Sequence, residues 1–301
     1  DRFGNQVTQR NAFREIFVSN ELGRYTSMYF EDSNGNRIEN NWGIYEYQWE
    51  LQSDGSVVEN RFDKSGNIVS IRPSFDFYTL RLCYHPNGIL ALMQNIDENG
   101  NLRENKSGVA QDKLHFDKQG RWLGWTVLGA NHQMKRGNGP NVARGINETN
   151  RYGYERSIRY EDVDGTAIIN SHGFWGSNRF YDKFGNYDYV QFLDKNGNPG
   201  LNIESGYSVA KYTYSKDGLL RQRIDLLGID EKPVIHKKRG YASIKQQYNK
   251  DGNLIKTSFL GLDGNLINRK DNGIAYIFYE YGERKELTGT KTFSEDGSEI
   301  E

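Results

Sequence analysis

The stretch GYASIKQQYNKDGNLIKTSFLGLDGNL, Gly240 to Leu266, sets one short phrase twice: polar residues, a glycine, then Asn-Leu, with Gly252 and Gly264 twelve positions apart. The phrase recurs along the chain. EDSNGNRIE surrounds Gly35, FDKSGNIV Gly66, IDENGNLRE Gly100 and FDKQGRW Gly120. EDVDGTAI, YDKFGNY, LDKNGNP, SKDGLL and FSEDGSEIE follow around Gly165, Gly185, Gly197, Gly218 and Gly297. In Asp-x-x-Gly the aspartate suits the first position of a type I turn, where its carboxylate accepts a backbone N–H. The glycine three residues on suits the left-handed conformation that closes a hairpin with a bulge. Any other residue there costs roughly 1 kcal/mol or more.

A second set of glycines lies upstream, at Gly23, Gly43, Gly108, Gly153, Gly173, Gly206, Gly240 and Gly273. The turn glycine comes twelve residues after each of the first seven, and after Gly273 that slot falls on Lys285, so that copy reads as altered. Twelve residues from corner to corner leave a strand of about seven. YSVAKYTY, YASIKQQY and IAYIFYEY alternate with the period of two that a strand requires. From Gly173 to Gly273 the unit is 33 or 34 residues, whereas Gly23 to Gly43 and Gly153 to Gly173 suggest shorter units of about 20. A lone hairpin is marginal in water, so each must bury its aromatic face on its neighbours. The expectation is an all-β antiparallel hairpin-repeat array, meander- or solenoid-like and coiled or curved, able to form a shell, with no helical domain.

The array is expected to run as one domain over 1–301, in repeat blocks 1–121 and 151–301. Between them, 122–150 (WLGWTVLGANHQMKRGNGPNVARGINETN from Trp122) lacks the turn phrase and reads as an inserted loop or a decayed repeat. The opening DRFGN matches DKFGN at Asp182, which predicts that the chain starts inside a repeat of a longer protein.

Composition agrees with strands and tight turns: 33 Gly, 5 Pro, 20 Tyr, 15 Phe and 5 Trp in 301 residues. A net charge of -1 argues against a nucleic-acid or anionic-membrane surface. No run reaches the length of a membrane span. Cys83 is the only cysteine, which excludes a disulfide framework and fits a bacterial cytosol or cell surface alike.

GFWGSNRFYDKFGNY, GYSVAKYTYSKDGLL and GYASIKQQYNKDGNLI resemble the YD-repeat, or Rhs-type, family across most of the chain outside 122–150. The resemblance implies hairpin repeats wound into a shell or curved sheet on large bacterial proteins that are often surface-exposed or secreted. Two departures stand out: the later unit is 33 or 34 residues rather than about 20, and no DPxGL-like segment of the self-cleaving shells is present. MYFEDSNGN and RFYDKFGN are similar, less closely, to aromatic-rich choline- or glucan-binding surface repeats.

Candidate chemistry is sparse. DSNGNRIE, DENGN and DKNGN start like calcium loops, but the glycine is fourth rather than sixth and no acidic residue recurs at the twelfth place, so they are read as turns and no metal is expected. The five histidines lack metal-ligand spacing. Cys83 and His85 could share a strand face, yet a small core cysteine accounts for the first, so no catalytic residue and no cofactor is assigned. GNGPNVARG lacks the strand–helix setting of a phosphate loop. Binding is the stronger prospect. Trp122, Trp125 and Trp175, with His132, Arg136 and Arg144 in the unusual segment, are the candidate binding residues, either for sugar stacking or as anchors for a protein partner. The reading is a non-catalytic scaffold or protein-recognition module, partnered by another protein or by the rest of its own large protein. The alternative is a carbohydrate-binding module of cell-wall or glucan type.

Overall fold

The computed structural model describes residues 11–73, 75–283 and 285–300. The opening DRFGN repeat match lies outside them. The described chain is all-β, and its strands pair antiparallel with neighbours in sequence. Contacts divide it into two compact units, whose described parts are 11–153 with 160–168 and 154–159 with 169–300.

The first unit holds β1 (Arg14–Ser19), β2 (Tyr25–Glu31), β3 (Arg37–Ile38), β4 (Glu46–Leu51) and β5 (Val57–Phe62). It continues with β6 (Thr79–Tyr84), β7 (Leu90–Ile96), β8 (Gln111–Phe116), β9 (Trp122–Leu128) and β10 (Arg144–Thr149). Strand β11 (Glu155–Glu161) divides between the units, its first five residues in the second. The second unit adds β12 (Gly176–Tyr181), β13 (Tyr187–Leu193), β14 (Val209–Tyr214), β15 (Arg221–Leu227) and β16 (Ser243–Tyr248). It ends with β17 (Leu254–Leu260), β18 (Tyr276–Tyr281), β19 (Leu287–Phe293) and β20 (Glu299–Ile300).

The corner is a single device used throughout. At Asp97 the backbone N–H donates to Asn101 O at 2.9 Å and the Gly100 N–H donates back to Asp97 O at 3.0 Å. The Asp97 carboxylate then accepts from the Asn99 and Asn101 N–H groups at 2.9 and 2.8 Å, which holds its pKa below the usual value. Gly35, Gly66, Gly100, Gly120, Gly165, Gly185, Gly197, Gly218, Gly252, Gly264 and Gly297 all have φ between 73 and 88°. Where the first turn position is Gln52 or Gly261 rather than Asp or Asn, the residue two on takes over: Asp54 Oδ1 accepts from Ser56 N at 2.9 Å and Asp263 Oδ1 from Asn265 N at 3.0 Å.

Left-handed residues disclose a longer rhythm than the glycines alone. One series runs 23, 55, 88, 120, 153, 185, 218, 252, 285; a second runs 35, 66, 100, 132, 165, 197, 231, 264, 297. Members of each are 31 to 34 residues apart. A third corner follows at 43, 108, 141, 173, 206, 240 and 273. Between Gly66 and Gly88 that third place is held by the Phe75 N–H donating to Arg72 O at 3.1 Å. The apparent units of about 20 are therefore partial: Gly23 to Gly43 and Gly153 to Gly173 each run from the first corner to the third. They looked like units because two of the three steps are about twelve residues long and the third is eight or nine.

The segment 122–150 follows the same rule. It contributes β9 and β10, and its corners are His132 at φ 63° and Asn141 at φ 53° instead of glycines. These corners keep the spacing of the flanking copies without their glycines. Lys285, at φ 62°, likewise keeps the corner of the copy that reads as altered.

The hydrophobic clusters of each unit gather on one sheet face. In the first, Phe75, Phe77, Leu80, Leu82, Val109 and Val127 form one cluster, and Ala12, Met28, Phe30, Ile44 and Tyr47 another. In the second, Ala210, Leu226, Tyr241 and Phe259 are buried, with Ile224, Ile244, Ile267 and Ile274 packed on them. The aromatic that ends alternate strands does more than fill space. Tyr181, Tyr248 and Tyr281 donate to the carbonyls of Glu155, Arg221 and Leu254 at 2.7, 2.8 and 2.9 Å, a rung in each of three second-unit repeats. Burial and neighbouring Tyr187 push the Tyr181 phenol up to about 12.

Candidate functional site

Trp122, Trp125, His132, Arg136 and Arg144 all lie in the first unit, where only the two tryptophans touch one another and the rest engage separate partners. Trp122 and Trp125 point from β9 and stack with centroids 6.2 Å apart and planes 18° apart. Trp122 also meets Phe116 edge-on at 5.1 Å, and Trp125 meets Tyr160 at 6.2 Å. Two glycines make room for this. A Cβ on Gly145 would lie 2.3 Å from the Trp125 ring, and one on Gly124, at φ 122°, would lie 2.0 Å from Gly145 O. Both tryptophans are half-buried.

Arg136 Nε donates to Asp162 Oδ1 at 2.6 Å and Nη2 donates to Oδ2, a bidentate pair that raises the Arg136 pKa. Arg144 lies opposite Thr126 in the β9–β10 register, and its Nη1 lies 3.3 Å from Glu161 Oε2. His132 accepts at Nδ1 from Gln111 Nε2 at 3.0 Å, an arrangement that places its proton on Nε2. Gln111 Nε2 also donates to Gly129 O at 3.0 Å, and Gln111 Oε1 accepts from Gln94 at 3.0 Å.

Beside Gln111 sits a group that the sequence reading missed. Asp112 is buried, accepts from Asn138 Nδ2 at 3.0 Å, and Asn138 Oδ1 in turn accepts from Asn105 Nδ2 at 2.9 Å. Burial pushes its pKa to about 7, against the hydrogen bond from Asn138 and the charge of Arg72. A sequence signal existed. Counted from the third corner, Asp112 occupies the slot filled by Ala210, Ile244 and Ile277 in later repeats, so a carboxylate stands at a core position.

Trp175 belongs to the second unit, where the Arg159 guanidinium lies 5.2 Å from its ring. Cys83 has Gln94 Oε1 at 3.9 Å from its sulfur, and burial raises its pKa, the reverse of an activated thiol. His85 opens a corner with its backbone N–H on Ile89 O at 2.8 Å, and no hydrogen bond joins it to Cys83. Among the described residues no three His, Cys, Asp or Glu side chains could hold a metal ion together. A first-unit cleft of 1190 Å³, lined by Glu50, Asn60, Arg81, Glu98 and Arg103 among others, carries charges of both signs and none of the chosen residues.

No family model and no curated protein matches the chain. Among solved structures it is similar to the TcdB2-TccC3-TEV crystal structure at 11% identity and a TM-score of 0.37, covering 93% of this chain and 13% of that one. It is also similar to the Photorhabdus luminescens Tc holotoxin pore carrying the TccC3 D651A mutation, at 13% identity and a TM-score of 0.31, over 93% of this chain and 15% of the other. The TcdB2-TccC3 crystal structure matches at 11% identity and a TM-score of 0.28, over 93% and 17%. The chain thus spans less than a fifth of these neighbours. By its own corners, registers and rungs it is an antiparallel β-hairpin repeat module.

Proposed function

We propose that the chain is a non-catalytic scaffold or protein-recognition module of a large bacterial protein, working at or beyond the cell surface. One observation carries the reading: a single corner geometry, repeated every 31 to 34 residues, makes each hairpin lean on the one before it. The tyrosine hydroxyl rungs express that dependence. Such an array offers a rigid surface on which side chains are spaced by backbone geometry rather than by loops. Two further observations fit this reading better than an enzyme: burial raises the Cys83 pKa, and Arg136 and Arg144 are spent on internal ion pairs.

Hydrogen–deuterium exchange on the 301-residue chain tests it. Tyr281→Phe removes one rung at a cost of about 1 kcal/mol. A scaffold built on mutual support then exchanges faster both in β18 and in β17, which supplies the Leu254 carbonyl. Faster exchange confined to β18 would mean hairpins that stand alone, and would overturn the reading.

A further inference from the structure

One face of strands β14 to β17, covered at Val209, Ser243 and Leu260 and open farther along, carries lysines that no carboxylate among the described residues pairs with. Lys211 on β14 is the cross-strand partner of Asp225 on β15, and Arg223, two residues from Asp225, is the partner of Lys245 on β16. Lys245 faces Ser258 on β17, two residues from Lys256. Side chains alternate along a strand, so all four cations share one face. The other face presents Ala210, Leu226 and Phe259 to the core. Lys211 and Lys245 are exposed, Arg223 and Lys256 half-buried.

Asp225 is held by Arg223 at 2.7 Å, and Glu280 on β18 by Lys291 at 2.7 Å. Among the described residues no carboxylate lies within 4.0 Å of Lys211, Lys245 or Lys256. A cleft of 490 Å³ runs through this face, lined by Thr213, Gln222, Arg223, Lys245, Gln247 and Tyr248. At its side Lys256 Nζ sits 4.2 Å from the Tyr276 ring and 4.9 Å from that of Phe278, which is 39% exposed.

We propose that this face binds an acidic polypeptide segment in extended conformation, lying across strands β14 to β17. The proposal rests on the recognition reading above and specifies its ligand. The four cations climb diagonally, two residues along at β15 and again at β17, so strands about 4.8 Å apart with a rise of about 3.3 Å per residue put Lys211 and Lys256 about 19–20 Å apart, the span of four carboxylates at alternate residues of an extended chain. The neutral donors and acceptors Thr213, Gln222 and Gln247 suit a peptide backbone, and Phe278 suits an apolar side chain beside an acidic one. A continuous run of phosphates fits less well, because Asp225 stands within the cationic row and the chain as a whole carries a net charge of -1.

Fluorescence anisotropy tests the proposal with the 301-residue chain and a labelled peptide of alternating Glu and Leu. Binding is expected at low salt, weakening as salt is raised. Replacing Glu by Gln in the peptide should abolish it. Lys211→Glu with Lys245→Glu should weaken it about tenfold or more, since two attractive contacts of several tenths of a kcal/mol each become repulsive. Equal binding of the Gln peptide, or equal affinity of the variant with an unchanged thermal midpoint, would overturn the proposal. So would preferential binding of a single-stranded oligothymidylate that the same variant loses, which would assign the face to phosphates. The Gln peptide decides the matter on the unmodified chain if the variant fails to fold. Failure here leaves the exchange test of the scaffold standing, because that test involves no ligand.

Discussion

The two units obey the same corner rule and distribute charge in opposite ways. In the first, charged side chains go inside: Arg61 is 0% exposed, and Asp112 and Asp162 are buried. In the described part of the second, every buried polar residue is an uncharged Ser, Thr or Asn, and Lys211 and Lys245 stay exposed. A periodic backbone fixes where side chains go, while the choice of residue at each slot decides whether a repeat spends its polarity on its own cohesion or leaves it available to a partner.

The sharpest way to break this contrast is to neutralise one charge in each unit. Arg61 Nη1 lies 2.5 Å from Glu59 Oε1, and Nη2 donates to Phe77 O at 3.2 Å and to Tyr78 O. Arg61→Met leaves Glu59 Oε1 and two carbonyls without this donor, while Glu59 Oε2 keeps the Trp49 indole N–H, so chemical denaturation should register a loss of about 3–5 kcal/mol. Lys245→Met, on the open face, should change stability by no more than about 0.5 kcal/mol. Similar losses at both positions would erase the distinction.

Next in size is a difference in pH response. Asp112 titrates at about 7 in the folded chain, above its ordinary 3.8, so folding favours its protonated form. Its contribution is full below pH 3.8 and is lost as pH rises through about 7. The corner carboxylates run the other way. Asp97 and Asp117 are held below 3.8 by backbone N–H groups, so their contribution is present above 3.8 and lost as the solution is acidified through their folded values. Asp112→Asn should therefore flatten the decline of stability between about pH 4 and 7 while leaving the acid limb in place. Urea denaturation across that range reads it directly, and an unchanged neutral limb would refute the assignment.

How much of this was legible in the sequence follows from where glycine was needed. Asp-x-x-Gly carries its own chemistry, an acceptor followed by a residue free to turn left-handed, so the strands and the antiparallel fold could be read from Asp97–Gly100 and its copies. Corners occupied by His132, Glu231 and Lys285 carry no such mark. Each has glycine three residues earlier instead, at Gly129, Gly228 and Gly282, where the turn hydrogen bonds begin. That displacement made 122–150 look like an interruption. Trp122 and Trp125 keep the rhythm of their neighbours in β9, and their packing depends on Gly124 and Gly145, whose roles arise from close approach and not from local turn chemistry. Buried Asp112 and Arg61 depend on partners distant in sequence, and so do the cations of the second unit, which gather only once the register of β14 to β17 is known.

The central claim is that one left-handed corner, repeated every 31 to 34 residues, builds both units whether or not glycine occupies it. The most direct measurement is a paired substitution at two successive corners of the second series, read by equilibrium denaturation. Gly264, at φ 80°, has open space where a Cβ would go, so Gly264→Ala should cost about 1 kcal/mol through backbone conformation alone. Glu231, at φ 60°, bears that strain already, so Glu231→Gly should stabilise the chain by about 0.5–1 kcal/mol. A neutral Gly264→Ala together with a destabilising Glu231→Gly would contradict the account.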